Sequence, residues 1–166
     1  MGHFSLATII DSEHPAVAFS ERPKLNIFLH KSKTSGDELY LQNLLQADKS
    51  MPNQLEMLIA LYKFYLSRGD TEKAEEIVFQ TLVKASLLGG FSHIWNKLTS
   101  KCADWNNPSG PSRVFLYSLK VLAIIRLRQK DFKDAKEIFS VICRLDPDNQ
   151  IKSKNFNNRL SAISGK

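Results

Sequence analysis

Cysteine is nearly missing from this chain of 166 residues, with only Cys102 and Cys143 present. They stand far apart, form no CxxC pair and have no histidine at ligand spacing. That excludes a zinc site and a disulfide framework, and both read as small core hydrophobes. Long apolar runs are missing too. Even Val121, Leu122, Ala123, Ile124 and Ile125 close at Arg126, far short of the roughly 18–20 residues that a membrane-spanning helix requires. The opening residues from Met1 to Leu6 have no basic region of a signal peptide, and Leu6 stands where myristoylation expects serine or threonine. A reduced, soluble, cytoplasmic protein without membrane association is therefore expected. Glycine is scarce as well, with 7 residues. Gly89 and Gly90 lead into Phe91 rather than into a strand-to-helix phosphate loop.

What is present is the composition of one globular domain, with 43% apolar, 24% charged and 10% aromatic residues. A domain of this size buries roughly 68–70% of the surface its unfolded chain exposes, enough for a continuous core. The net charge of +6 is unevenly spread. Residues 1–90 hold 9 basic against 11 acidic side chains, and residues 91–166 hold 14 against 6. A basic half attracts acidic protein segments, nucleic acid or anionic headgroups, or is simply a solvated lysine-rich surface.

Apolar periodicity predicts helices over most of the chain. Leu55, Leu58, Ile59, Tyr62, Tyr65 and Leu66 recur on one helical face, and Arg68, Gly69 and Asp70 supply a stop, a turn and a new N-cap. Ala74, Ile77, Val78, Leu82 and Ala85 follow on the next face. So short a turn forces an antiparallel pair. Pro111 and Ser112 open a helix that is apolar on nearly every side, from Phe115 to Leu127. Gln129, Lys130 and Asp131 reverse the chain, and Phe132, Ala135, Ile138, Phe139, Ile142 and Leu145 form another stripe, ended by Asp146 and Pro147. Further helices are expected over residues 91–104, from Phe91, Ile94, Trp95, Leu98 and Cys102, and over residues 151–164, from Phe156, Leu160 and Ile163. Ser35 and Glu38 match a capping box ahead of a helix carrying Leu39, Tyr40, Leu41, Leu44 and Leu45. Residues 1–34, interrupted by Pro15 and Pro23, read as an irregular segment packed on a helical body of residues 35–166.

Superposed on their turns, the two hairpins align Gly69 and Asp70 with Lys130 and Asp131, Ala74 with Ala135, Val78 with Phe139 and Leu58 with Leu119. In these residues the chain resembles the tetratricopeptide repeat family, whose unit of about 34 residues is a helical hairpin with a small residue at the crossing and a proline at the end. The run from Arg128 through Ala135 and Phe139 to Pro147 carries the likeness best, and that from Ser67 to Glu76 carries it fairly. Residues 52–86 and 114–149 are the two repeats, an irregular helix over residues 91–104 replaces a regular one between them, and residues 151–164 cap the array. The resemblance implies an all-α fold of stacked antiparallel hairpins, an α-α superhelix of about 6–7 helices.

The resemblance also implies a concave surface along the first helix of each pair, able to hold an extended peptide or a partner helix. Its groove-side positions are Glu56, Ile59, Lys63 and Leu66 in the earlier hairpin, and Tyr117, Lys120, Ile124, Leu127 and Arg128 in the later one. An aliphatic floor with basic rims suits a peptide with apolar anchors and some acidic character. Ile59, Leu66, Ile124 and Leu127 equally suit contact with a neighbouring helix. Lys120 occupies a position like that of the family's carboxylate clamp, but Ile124 and Lys63 stand where asparagine would be needed, which argues against that activity. Trp95 reads as core, and Trp105, in a loop, is a candidate exposed anchor, with folding back to cap the hairpin as the alternative.

The layout is also similar to small repeat-type chaperones, so a non-enzymatic adaptor or chaperone-like role is expected, without a cofactor. His3, His14, His30 and His93 are scattered, and Glu75 and Glu76 read as solvation. The rival reading is nucleic-acid binding through Arg113, Lys120, Arg128, Lys130, Lys133 and Lys136, although stacking aromatics among them are few.

Overall fold

The computed structural model describes residues 55–107 and 110–164 together with Leu39, Leu41, Gln42, Leu45 and Gln46. Every regular element among them is helical, in agreement with the all-α expectation. The helices are α1 (Leu55–Ser67), α2 (Thr71–Gly89), α3 (Pro111–Arg128), α4 (Phe132–Leu145) and α5 (Lys154–Ser164), with a single 3-10 turn at Trp95–Lys97. The five residues described between positions 39 and 46 are helical as well. The capping box at Ser35 and the segment of residues 1–34 lie outside the described residues. The chain divides into two compact units, Met1–Ile77 and Val78–Lys166, so that α2 belongs to both.

In the first unit, the predicted stripe of α1 is buried at Leu55, Leu58, Ile59, Tyr62 and Leu66. A second side of the same helix is covered too. Met57 and Leu61 form a cluster with Leu41, Ala60, Phe64, Tyr65 and Ile77, which explains why α1 carries apolar residues beyond one amphipathic face.

The two hairpin turns share a pair of backbone bonds. Gly69 donates its N–H to Leu66 and Asp70 to Tyr65, at 3.1 and 2.9 Å; Lys130 donates to Leu127 and Asp131 to Arg126, at the same two distances. Each turn places one residue in the left-handed region, Gly69 at φ 77° and Lys130 at φ 63°. Each then uses an aspartate to cap the next helix. An Asp70 carboxylate oxygen accepts from the Lys73 N–H at 3.2 Å and one of Asp131 from the Asp134 N–H at 3.1 Å. The alanine four residues past each cap, Ala74 or Ala135, is fully buried.

In the second unit, every α3 residue from Ser112 to Ile125 is buried; the apolar pattern predicted this for Phe115, Leu116, Leu119 and Leu122 to Ile125 but not for Arg113 or Lys120, and Leu127 is half-buried. Helix α4 packs on α3 and buries Ala135, Ile138, Phe139, Val141, Ile142 and Leu145. The hairpin is tied outside its turn by Arg126, whose Nε donates to the Asp134 carboxylate at 2.7 Å. Phe132, expected in the buried stripe, is 44% exposed. It is the first residue of α4, next to the turn, where the neighbouring helix no longer covers it. Helix α5 packs on α4, with the Phe156 ring stacked on Phe139 at 5.4 Å between centroids.

Residues 91–104 do not form the expected helix. The segment makes one 3-10 turn and otherwise bends and turns. Local side chains compete for its backbone: the Ser92 hydroxyl accepts the Ile94 N–H, and the Cys102 sulfur accepts that of Thr99. Aromatic packing then holds the segment in place. Phe91 contacts the rings of Trp105 and Phe115, each at 5.1 Å, and Phe79 stacks on Trp95 at 6.2 Å.

The crossing of α3 and α4 leaves no volume at Ala135, so Ala135→Leu should cost about 1–3 kcal/mol through overpacking. An unchanged melting temperature would remove Ala135 from the crossing. The turns generate a paired expectation in opposite directions. Lys130→Gly should raise stability and Gly69→Ala should lower it, each by about 1 kcal/mol, because only glycine takes a left-handed φ without a Cβ penalty. Chemical denaturation of the two variants measures both signs.

Candidate functional site

The positions assigned to a groove fall on α1 and α3. On α1, Ile59 and Leu66 are buried while Glu56 and Lys63 are half-buried, so the two aliphatics serve the core and the two charges reach its edge. On α3, Tyr117, Lys120 and Ile124 are buried, Leu127 is half-buried and Arg128 is exposed.

Lys120 therefore is not the basic rim that the groove assignment required. It is 3% exposed, and its amine donates to the Ile151 carbonyl at 2.8 Å and lies 5.5 Å from the Phe156 ring centre. The physical reason is the chain beyond α4. Asp146 receives the N–H groups of Gln150 and Ile151, both at 2.9 Å. With Asn149 and Lys152 in the left-handed region, at φ 55° and 54°, the segment coils back so that the Ile151 carbonyl meets Lys120. Arg113, two turns earlier on the same face of α3, meets the same segment: Nη1 donates to the Gln150 side-chain oxygen at 2.9 Å.

Trp105 is likewise corrected from exposed anchor to core. It is 4% exposed, packs against Phe91 and Phe115, and donates its indole N–H to the Thr99 carbonyl at 3.0 Å. A loop tryptophan with this much apolar area is drawn inward when a backbone acceptor is within reach of its N–H.

Of the six basic residues proposed to meet phosphates, Arg113 and Lys120 are buried, Lys136 is half-buried, and Arg128, Lys130 and Lys133 are exposed. Arg144, Lys152, Lys154 and Arg159 are exposed too. Arg144 is partly engaged, because its Nη2 donates to the Leu98 carbonyl at 3.0 Å.

The sequence reading missed a set of exposed apolar side chains. Leu87 is 72% exposed, and Val83, Leu88 and Ile94 are exposed as well. Val83 and Leu87 lie one turn apart on α2, opposite the buried stripe of Ala74, Val78, Leu82 and Ala85. The signal was available, because both break the polar face begun by Glu76 and Gln80.

The cysteines differ from the expectation of two core hydrophobes. Cys143 is half-buried, whereas Cys102 is exposed and hydrogen-bonded within its turn. The Thr99 hydroxyl, then the Thr99 backbone N–H, stabilise the Cys102 thiolate and lower its pKa. Burial raises that of Cys143, against the opposing pull of Lys154. His93 is exposed; the other three histidines lie outside the described residues. Among the described residues no group of three metal-ligating side chains converges, and no helix is long and apolar enough to cross a membrane.

Comparison with protein-family models, with curated proteins and with solved structures returned no match to this chain.

The thiol geometry has a measurable consequence. At mildly alkaline pH a larger fraction of Cys102 than of Cys143 is thiolate, so iodoacetamide should alkylate Cys102 first. Thr99→Ala should slow the reaction at Cys102 by removing the hydroxyl while leaving Cys143 unaffected. Site-resolved mass spectrometry follows both rates, and faster labelling at Cys143 would contradict the assignment.

Proposed function

We propose that the chain is a non-enzymatic protein-binding module of the tetratricopeptide-like kind, an adaptor or chaperone-like protein whose helical hairpins hold a peptide or helix of a partner. The observation that carries this reading is the repetition of the hairpin turn at Gly69 and Lys130, with two matching backbone hydrogen bonds, an aspartate cap and a buried alanine in each. A recurring hairpin is the unit from which helical-repeat binding surfaces are built. Accessible charge at Glu56, Lys63 and Arg128 supplies the polar edge of such a surface. Exposed apolar side chains at Val83, Leu87 and Leu88 supply anchors of the type that dominate binding energy.

A second reading is favoured by a separate observation. Between Arg128 and Arg159, Lys130, Lys133, Arg144, Lys152 and Lys154 are exposed along with those two arginines, against exposed acids at Asp131, Glu137 and Asp148. Such a surface attracts nucleic acid and loses it steeply with salt.

Capture on the immobilised full chain, with nuclease and at low and raised salt, separates the two. Protein binding predicts a protein retained after nuclease, and retention should fall when Val83→Asp and Leu87→Asp are combined. Both positions are exposed, so stability should stay within about 0.5 kcal/mol per substitution. Material that disappears with nuclease and salt would instead establish the nucleic-acid reading and overturn the adaptor.

A further inference from the structure

The second half of helix α2 has two faces of apolar side chains. Leu82 and Ala85 are buried, while exposed Val83 and Leu87 lie opposite them, in line with half-buried Phe79 one turn earlier. The chain then turns at Gly90, with φ 71°, and Trp95 comes back to stack on Phe79 at 6.2 Å between ring centres. Exposed Ile94 precedes that ring. The result is an apolar strip open to solvent, about 12 Å long from Phe79 to Leu87 at 1.5 Å per helical residue, and all of it belongs to the second unit.

The charge along this stretch has one sign. From Val78 to Ala103 the chain has no acidic residue, and its cations are Lys84, Lys97 and Lys101. Lys84 stands a turn before Leu87 on α2, and Lys97 belongs to the 3-10 turn that begins at Trp95. The helix packed against that turn adds another cation, since Arg144 of α4 donates from Nη2 to the Leu98 carbonyl at 3.0 Å. Asp104, the next acid along the chain, has its carboxylate turned to the Asn106 N–H at 3.1 Å. Residues 78–166 together hold 15 basic against 6 acidic side chains. A second copy of the chain therefore brings like charge to this surface, whereas an acidic partner is drawn to it. An anionic bilayer attracts lysines too, but a helix that lies in one presents a broad apolar face, and here Gln80 and Lys84 stand directly beside the strip. A narrow line at single-turn spacing matches the side-chain ridge of a second helix.

We propose that Phe79, Val83, Leu87, Ile94 and Trp95 form a docking strip for an amphipathic helix of another protein, one whose apolar residues recur every three and four positions and whose flanks carry glutamate or aspartate to meet Lys84 and Lys97. The strip lies on the second helix of its hairpin, apart from the groove-side positions of α1 and α3. It rests on the protein-binding reading and names the partner's chemistry within it.

The test titrates the full chain with an acetylated, amidated peptide of about four helical turns, made of leucine, alanine and glutamate, with its leucines on one helical face. Calorimetry gives the affinity, and Trp95 reports contact through its emission because the peptide has no aromatic residue. Saturable binding is expected, with the emission change lost in Trp95→Phe while binding persists. Val83→Asp combined with Leu87→Asp should weaken it roughly tenfold or more. Lys84→Glu should weaken it roughly fivefold at low salt and less at raised salt; Lys84→Arg should bind as wild type does, and so should Lys133→Glu on α4. Absence of saturable binding would overturn the strip, as would equal binding of a peptide whose leucines are dispersed around the helix or whose glutamates are replaced by lysine. Equal losses from Lys133→Glu and Lys84→Glu would reduce the charge match to general basicity and overturn it too. Pelleting of the chain with phosphatidylcholine vesicles that contain phosphatidylserine, abolished by the paired aspartates and unaccompanied by peptide binding, would assign the strip to a membrane. Concentration-dependent dimerisation abolished by the same pair would assign it to a second copy. A nuclease-resistant protein captured equally by wild type and the paired variant, without peptide binding, would overturn the strip and leave the adaptor reading in place. Peptide binding with no protein captured after nuclease would sink the adaptor reading alone.

Discussion

Helix α3 has no side left for water. Fourteen consecutive residues, from Ser112 to Ile125, are buried, and a helix in that position needs neighbours all round. Helix α4 covers part of it, the rings of Phe91 and Trp105 pack on Phe115, and the chain on either side of the α3–α4 hairpin satisfies polar groups that α3 takes inside. Lys120 obtains a carbonyl only because the chain past Asp146 winds back to it. Asp146, itself buried, organises that return by gathering two backbone N–H groups. The Ser112 hydroxyl donates to the Asp104 carbonyl at 2.6 Å, which draws the end of the aromatic loop to the start of α3. An ion pair on the surface contributes little to such an arrangement; a buried cation without its carbonyl would be far costlier.

The turns and the main stripes were legible because local chemistry and burial agree there. Asp70 and Asp131 are good N-caps wherever they occur, and the alanines, Leu58, Val78 and Phe139 fall on faces that the helical period alone selects. Residues 91–104 were not legible for the opposite reason. Phe91, Ile94, Trp95 and Leu98 have helical spacing, but Ser92 and Thr99 offer the backbone competing bonds, and Trp95 and Trp105 find ring partners that no periodicity encodes. Burial of charge was invisible for a similar reason. A lysine on a helix reads as solvent-facing until the segment that supplies its acceptor, here more than thirty residues later, is in place.

The groove assignment shows how the same limit acts on function. The resemblance to the repeat family grouped α3 positions that do lie together, since Tyr117, Lys120 and Ile124 share a side of the helix. It did not reveal that this side is already buried. The accessible chemistry sits elsewhere, in Leu87 and Val83 on the far side of α2 and in the lysines and arginines from Arg128 onward. A departure from an otherwise regular pattern was the more informative signal: two apolar residues, Val83 and Leu87, on a polar face.

Trp95 and Trp105 are the only tryptophans in the chain, and both lie in the second unit, against phenylalanine rings. Their emission is thus a built-in optical probe of residues 78–166, dominated by the loop between α2 and α3, while far-ultraviolet circular dichroism registers helix throughout. The protein carries its own means of asking whether α2, shared by the two units, makes them melt as one cooperative body or lets them part in sequence.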